Sequence, residues 1–369
     1  MAPLVIALRN TTAFTVKTMV TAQHREMLDQ VLTLFGIIPD YDLNIMSPGQ
    51  TLTEVTARVM RGLEPILSQE PPDLLMVHGD TTTTFAGALS AFYHRIKVAH
   101  VEAGLRTGDK AQPFPEEMNR LLTGRLADLH FAPTAQAKQN LLLENINPES
   151  IYVTGNTVID ALHHCLGRIT NRPDSEPGFK TILVTAHRRE NWGEPMERIV
   201  CALKLILDSN PEVRMLIPVH RNPLVRKIFQ QLLGNNPRVR LEEPFDYQTM
   251  VSAMSESYLV LTDSGGIQEE APALGKPVLV LREKTERPEA VEFGTVKLVG
   301  TDVTEIVNAT ARLLAEPAEY EIMAKAVNPY GDGKAVARIV RALLHYYGFE
   351  ADKPQDFKPL LTAKNLLQF

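Results

Sequence analysis

Only two cysteines, Cys165 and Cys201, occur in 369 residues, too few for a disulfide framework and without metal-ligand spacing. Such sparse thiols fit a reducing compartment and a core role. No apolar run approaches the ~20 residues of a membrane span. Charge of one sign is also missing: the net charge is -6 with both signs interspersed, which argues against a nucleic-acid surface or a polybasic membrane surface. The opening "MAPLVIALRN" lacks the charged-then-apolar layout and cleavage site of a signal peptide. No repeat of 20–50 residues and no low-complexity tract is found. These absences leave a cytoplasmic globular protein, long enough for two domains of ordinary size.

What is present is an alternation of short β-rich runs with helical patterns, the mark of parallel α/β architecture. In the first half the expected strands are Phe14–Thr21, Asp73–Val77 and Val98–Val101. Between them, "HREMLDQVLTLF" (24–35) places Met27, Leu28, Val31, Leu32 and Phe35 on one helical face. After a polar segment at 168–180, expected to be a linker, come Ile182–Thr185, Met215–Val219, Val239–Glu242, Tyr258–Leu261 and Val278–Leu281. The economical architecture is two Rossmann-like domains facing a cleft. The expected boundaries are 1–165 and 180–330, then a helix over 331–349 returning toward the first domain and a tail, 350–369, without assigned role. In such sheets ligands bind beyond the carboxyl ends of the strands, so residues there carry most of the functional weight.

Those positions form a coherent set. "DLLMVHGDTTTT" ends in Asp80, "KVAHVEAGLRTGD" in Glu102, and "PFPEEMNRLLTG" opens a helix with Glu116 and Glu117. In the second half, "TILVTAHRRENWG" ends in His187-Arg188-Arg189-Glu190, and "MLIPVHRNP" in His220 and Arg221. "SYLVLTDSGGIQEEAPALGKPVLVL" passes through Asp263-Ser264-Gly265-Gly266 into Glu269 and Glu270. A Ser-Gly-Gly turn opening a helix offers backbone N–H groups at the positive end of a helix dipole, a seat for phosphate. Each residue also has a plain structural use. Asp80 suits an N-cap, and one of Glu116 and Glu117 a helix-dipole partner. His220 suits a core histidine, the glycines a tight turn, and 187–190 a salt-bridge cluster. Taken together, carboxylates from the first half and cations with an anion nest from the second would grip a phosphate and move protons.

The motifs "TAQHREMLDQVL", "VHGDTTTT", "HVEAGLRTGD", "PEEMNR", "GNTVIDAL", "TAHRRENWG", "TDSGGIQEEAP", "GKPVLVLREKTERPEAV" and "NPYGDG", in this order, closely resemble the non-hydrolysing UDP-N-acetylglucosamine 2-epimerases, from about residue 2 to about residue 347. The resemblance implies the glycosyltransferase-B-like pair of domains and a homodimer. It implies interconversion of UDP-GlcNAc and UDP-ManNAc for bacterial surface polysaccharide, without metal or nicotinamide cofactor. It implies elimination of UDP to a 2-acetamidoglucal and re-addition with inversion at C2. By motif, Asp80, Glu102 and Glu116 resemble the essential carboxylates and His187 the catalytic histidine. Ser264, Gly265 and Gly266 look like the diphosphate nest and Glu270 like the ribose partner. Arg287 and His220 are further substrate contacts, Phe245 a neighbour of uracil, and Gln23, His24 and Arg25 the segment for a second, allosteric UDP-GlcNAc.

The chain departs from the family pattern at its start. Family members open with a strand, a Gly-Thr-Arg-Pro-Glu loop, and a helix whose interior reads Met-Ala-Pro-Leu-Val, where this chain begins. The expectation is that Met1 is an internal methionine, that the first sheet lacks its central strand, and that two neighbouring strands lose their partner. The alternatives are a nucleotide-sugar-binding protein made inactive by that loss, a glycosyltransferase on the same fold, and a hydrolysing epimerase.

Overall fold

Short parallel strands alternate with helices that bury one face. The computed structural model describes residues 1–23, 25–168 and 178–359, so most of the expected linker and the last ten residues of the tail lie outside the described residues. The fold divides into two units, Met1–Ala161 with Tyr330–Lys358, and Leu162–Pro329.

In the first unit, β1 (Met19–Val20) pairs in parallel with β2 (Tyr41–Asp42). A second parallel sheet runs in the order β3 (Leu74–His78), β4 (Lys97–Val101), β5 (Leu129–Ala132), β6 (Ile151–Val153). Among the described residues no strand joins β1 to β3. Of the eight residues expected as one strand at 14–21, only Met19 and Val20 form a ladder. Phe14 and Val16 instead pack against an apolar cluster containing Leu4, Phe131, Val336 and Ile339.

The helices are α1 (Ala2–Arg9), α2 (Arg25–Phe35), α3 (Leu52–Gln69), α4 (Thr82–Tyr93), α5 (Glu116–Leu126), α6 (Ala135–Leu143) and α7 (Thr157–Leu166). A capping box starts α3: Thr51 Oγ1 accepts from the Glu54 N–H while Glu54 accepts from the Thr51 N–H. Its buried stripe Val55, Val59, Leu63 and Leu67 follows the i, i+4 repeat. The apolar face expected on α2 is less covered than its spacing suggests, since Phe35 is buried but Met27 is 69% exposed.

The chain enters the second unit inside α7, between Ala161 and Leu162, earlier than the boundary expected at 165. There a six-stranded parallel sheet runs β12 (Val296–Leu298), β11 (Val278–Val280), β10 (Leu259–Thr262), β7 (Lys180–Thr185), β8 (Val213–Pro218), β9 (Val239–Glu242). Helices α8 (Glu194–Ser209), α9 (Pro223–Leu233), α10 (Tyr247–Glu256), α11 (Ile267–Ala273), α12 (Pro288–Glu292), α13 (Val303–Ala315) and α14 (Pro317–Ala324) accompany it. On α8 the fully buried Met196, Ile199, Leu203 and Leu207 fall at helical spacing, each contributing about 1.5–3 kcal/mol by burial. The order reverses between β7 and β10, so the carboxyl ends of these two strands lie side by side, with Thr185 in register with Thr262. That reversal is where an open α/β sheet leaves room for a ligand.

Finally α15 (Ala335–Tyr346) belongs to the first unit and packs on α1. Of the tail, Asp356 pairs with Lys138 at 2.8 Å, Phe357 is buried, and the two reach the backbone of Val153 on β6. No described helix is long and apolar enough to cross a membrane.

Candidate active site

In the first unit Asp80 and Glu102 sit just past strand ends, while Glu116 opens α5. Thr81, not Asp80, caps α4, its Oγ1 accepting from the Thr84 N–H. Asp80 instead takes a 2.6 Å bond from Arg120 Nη2, and its carbonyl accepts from Asn119 Nδ2 at 3.0 Å. Glu117 is the structural member of its pair. It is buried and accepts from the N–H groups of Thr107 and Gly108, fixing the loop that follows β4. Glu116 Oε2 is buried with no hydrogen-bond partner among the described residues, an arrangement that costs about 1–3 kcal/mol or more for a charged group.

Glu102 follows β4 with φ +66°, a left-handed backbone that costs a non-glycine residue about 1 kcal/mol or more and tends to be kept at functional sites. Its Oε1 accepts from Asn156 Nδ2 at 3.2 Å and its Oε2 lies 3.5 Å from His78 Nε2. Burial, with the nearby Met1 amino group, holds the His78 imidazole well below its usual range, so this contact is not an ion pair at neutral pH. His100 is also buried and neutral, lowered to about 3, and its Nε2–H donates to the Gly79 carbonyl at 2.7 Å. Gly79 has φ +73° and a Cβ there would lie 3.2 Å from Glu102 Oε2. The glycine therefore brings the backbone before Asp80 close to Glu102.

In the second unit the side-by-side ends of β7 and β10 carry His187 and Asp263. Thr185 and Thr262 hydroxyls meet at 2.6 Å beneath them. Asp263 is fully buried and binds the loop after β7 through the N–H groups of His187 and Arg188. The His187 ring stacks on that of His220, centroids 5.9 Å apart and planes 16° from parallel. His220 is exposed, which removes the core-histidine reading. Burial lowers the His187 imidazole despite the opposing pull of Asp263.

The cations of this region are balanced within the protein. Arg188 lies 3.8 Å from Glu286, Arg282 meets Glu190 at 2.7 Å and Glu286 at 2.8 Å, and Arg287 meets Glu269 at 2.5 Å and Glu286 at 2.6 Å. Among the described side chains three arginines thus face three glutamates, and Glu190 bonds to Arg282, 92 residues on. Arg287 is buried among these carboxylates, which makes its first role here the support of the turn above it.

That turn explains its two glycines differently. Neither Gly265 nor Gly266 has a positive φ, so conformational freedom is not the reason. A Cβ on Gly265 would come within 2.6 Å of both Arg287 Nη1 and Glu286 Oε1, whereas one on Gly266 would be 3.6 Å from Glu270 Oε2. Gly265→Ala is therefore expected to destabilise the second unit by about 1–3 kcal/mol, and Gly266→Ala by much less. Thermal unfolding followed by Trp192 fluorescence compares the two, and equal effects would reject this account. Ser264 N–H donates to Thr262 Oγ1 at 2.9 Å.

Glu270, on α11, is buried, and its Oε1 accepts from the Tyr247 hydroxyl at 2.7 Å. Burial raises its carboxyl to about 7, against the Tyr247 hydrogen bond. Phe245 is half-buried just before Asp246, which caps α10. Back in the first unit, Gln23 accepts from Thr83 Oγ1 at 2.8 Å, and Arg25 meets Asp42 at 2.7 Å. His24 lies outside the described residues.

A family model described as UDP-N-acetylglucosamine 2-epimerase matches residues 6–344. The chain belongs to the UDP-N-acetylglucosamine 2-epimerase family. Members of this family are isomerases, and the chain is an enzyme of that kind. The UDP-N-acetylglucosamine 2-epimerase of Salmonella typhimurium is 56% identical over 357 residues, covering 94% of this chain and 95% of that protein. The crystal structure of the Neisseria meningitidis UDP-GlcNAc 2-epimerase bound to UDP-GlcNAc is similar with TM-score 0.89 and 50% identity, over 93% of this chain and 95% of that one. The S. aureus MnaA–UDP co-structure is similar with TM-score 0.91 and 48% identity, over 97% and 96%.

Sequence reading missed the residues through which this epimerase fold supports its side chains. Asp263, Arg120, Asn156 and Tyr247 each bond to a predicted site residue. Asp263 stood in the strand-end set and Arg120 and Asn156 lay inside the quoted motifs PEEMNR and GNTVIDAL, but none was assigned a role, and Tyr247 carried no signal.

Proposed function

We propose that the chain interconverts UDP-GlcNAc and UDP-ManNAc. C2 of the sugar is not next to a carbonyl, so its proton cannot leave to form a stabilised enolate. A carboxylate among Asp80, Glu102 and Glu116 removes the C2 proton as the C1–O bond breaks, its electron pair leaving with UDP, and a C1=C2 double bond forms. UDP then adds back to C1 while C2 is protonated on the opposite face. His187 steadies charge on the departing diphosphate, with Ser264, Gly265 and Gly266 as its backbone seat and His220 beside it. Glu270 receives the ribose hydroxyls, Phe245 neighbours uracil, and Arg287 supports the seat from beneath. The supply of N-acetylmannosamine units for surface polysaccharide, a homodimer in the cytoplasm, and a second UDP-GlcNAc near Gln23, His24 and Arg25 belong to the same reading.

The observation that carries it is the buried, unpartnered Glu116 Oε2, on the same helix as the Arg120 that binds Asp80. Folding alone gains nothing from burying a carboxylate oxygen without a protein donor, whereas a proton-transfer site needs one. The ligands named for the Neisseria meningitidis and S. aureus structures, UDP-GlcNAc and UDP, support the substrate class. The test is proton NMR of UDP-GlcNAc with the purified chain in heavy water. Deuterium entering C2 together with UDP-ManNAc is the expected result. Label transfer to an acceptor, or free UDP accumulating with ManNAc, would replace this reading with transfer or hydrolysis.

The Glu270 assignment has a pH consequence. A ribose hydroxyl donates better to an ionised carboxylate than to a protonated one, and the ionised fraction grows as pH rises through about 7. UDP-GlcNAc is therefore expected to bind several-fold tighter at pH 8 than at pH 6, and Glu270→Gln to flatten that dependence. Calorimetry with the intact chain measures both, and an unchanged pH profile in the variant would remove Glu270 from the ribose site.

A further inference from the structure

The carboxylate behind His187 does more than fasten a loop. Asp263 Oδ2 accepts three N–H groups, from His187 N at 2.8 Å, Arg188 N at 2.9 Å and Asn191 Nδ2 at 3.0 Å. These satisfy that oxygen and fix the backbone after β7. The other oxygen, Oδ1, is buried and takes no hydrogen bond among the described residues, yet lies 3.2 Å from His187 Nδ1. The approach is within hydrogen-bond distance, though not in line. Asn191 Nδ2 also donates to the Leu281 carbonyl at 3.1 Å, and the Trp192 indole N–H to the His187 carbonyl at 3.2 Å. Asp263 is thus held rigidly, with its one unsatisfied oxygen facing one imidazole nitrogen.

We propose that Asp263 is a positioning residue for the epimerisation, holding His187 with a proton fixed on Nδ1 so that Nε2 carries the mobile proton toward the departing diphosphate. A buried carboxylate at one nitrogen sets the tautomer and orientation of the ring and stabilises its cation, leaving the other nitrogen to act. As the C1–O bond breaks, Nε2–H gives its proton to the oxygen that receives the electron pair, and takes it back when UDP re-adds. The charges facing the ring divide. Asp263 favours the imidazolium, whereas Arg188, His220 and Arg282 oppose it. A bound diphosphate adds negative charge at Nε2, reinforcing the pull of Asp263 at Nδ1, so the ring gains its second proton when substrate arrives. This inference rests on the proposed function, because it needs a leaving diphosphate.

Asp263→Asn separates positioning from fastening. Its amide oxygen can still accept the three N–H groups, but its NH2 then faces Nδ1 and requires that nitrogen to accept. The measurement is the histidine tautomer by two-bond 1H–15N NMR on the 15N-labelled full chain, with His187→Asn to assign the signal. Wild type is expected to carry the proton on Nδ1 and D263N to carry it on Nε2. The D263N kcat is expected to fall by about 10- to 10³-fold, with the UDP-GlcNAc dissociation constant changed less than about threefold. In a His187→Asn background, D263N should lower kcat no further, because it acts through that ring. A wild-type ring protonated on Nε2 overturns the proposal even if D263N does not fold. So does a D263N chain with wild-type kcat, or one whose loss persists without His187. Failure of the wild-type chain to exchange C2 would instead sink the functional reading, and this inference with it.

Discussion

Glu102→Gln is expected to slow deuterium entry at C2 of UDP-GlcNAc by about 10²- to 10⁴-fold, the range for losing a positioned acid or base. The change is isosteric. A glutamine oxygen can still accept from Asn156 Nδ2, and its NH2 can donate to the neutral His78 Nε2 that now faces Oε2 at 3.5 Å. Side-chain geometry, and the φ of +66° that aims it, should therefore survive while basicity is lost. Binding of UDP should be nearly unchanged, because the proposed diphosphate seat is in the other unit. A variant exchanging within threefold of wild type would remove Glu102 from proton transfer. One that lost UDP binding in parallel would place the residue in binding instead.

Arg287→Met is expected to lower the stability of the second unit at pH 7 by about 3–5 kcal/mol, because it takes a bonded cation from two buried carboxylates at once and leaves Glu286 to Arg282 and the more distant Arg188. Arg287 touches both Glu269 and Glu286, and methionine replaces its length but none of its charge. Acid should narrow the gap. Burial pushes the Glu286 carboxyl up, but Arg287 and Arg282 outweigh it and hold the group at about 2. A depressed carboxyl stabilises the fold above its ordinary range and loses that contribution as pH falls from about 4.5 toward 2. In the variant the ionised glutamates are a burden that protonation relieves, so the two chains converge over this interval. Trp192, the single tryptophan, lies in the second unit and reports its unfolding. A difference below about 1 kcal/mol at neutral pH would mean that water or a repacked arginine takes over the charge.

Parallel strands buried on both faces were easy to read, because β10 and β7 are continuous apolar runs. Leu129–Ala132, Ile151–Val153 and Val296–Leu298 were not, being short and interrupted by His130, Tyr152 and Lys297 rather than continuously aliphatic. Their identity as strands comes from the neighbour each pairs with. The ladder at 14–21 was overestimated for the converse reason, since β propensity makes a strand only where a partner strand stands beside it. Candidate residues at strand ends could be nominated from the chain because sheet topology dictates where ligands go. Their supports were not. That Glu117 braces a loop while Glu116 stays unpaired, or that Gly265 clears space for Arg287, depends on residues brought near by folding. No spacing in the chain encodes which of two adjacent glutamates turns inward.

The tail has one further consequence. β6 ends its sheet, and Val153 on it would otherwise offer an unpaired N–H and carbonyl. Asp356 Oδ1 accepts from that N–H at 3.0 Å, and the Phe357 N–H donates to that carbonyl at 2.7 Å. Lys138 and Arg338 hold the segment, the first through Asp356 and the second over the Phe357 ring. An open strand edge is a template on which another polypeptide can add and aggregates can grow. Two residues beyond the last described helix thus occupy the edge that an added strand would use.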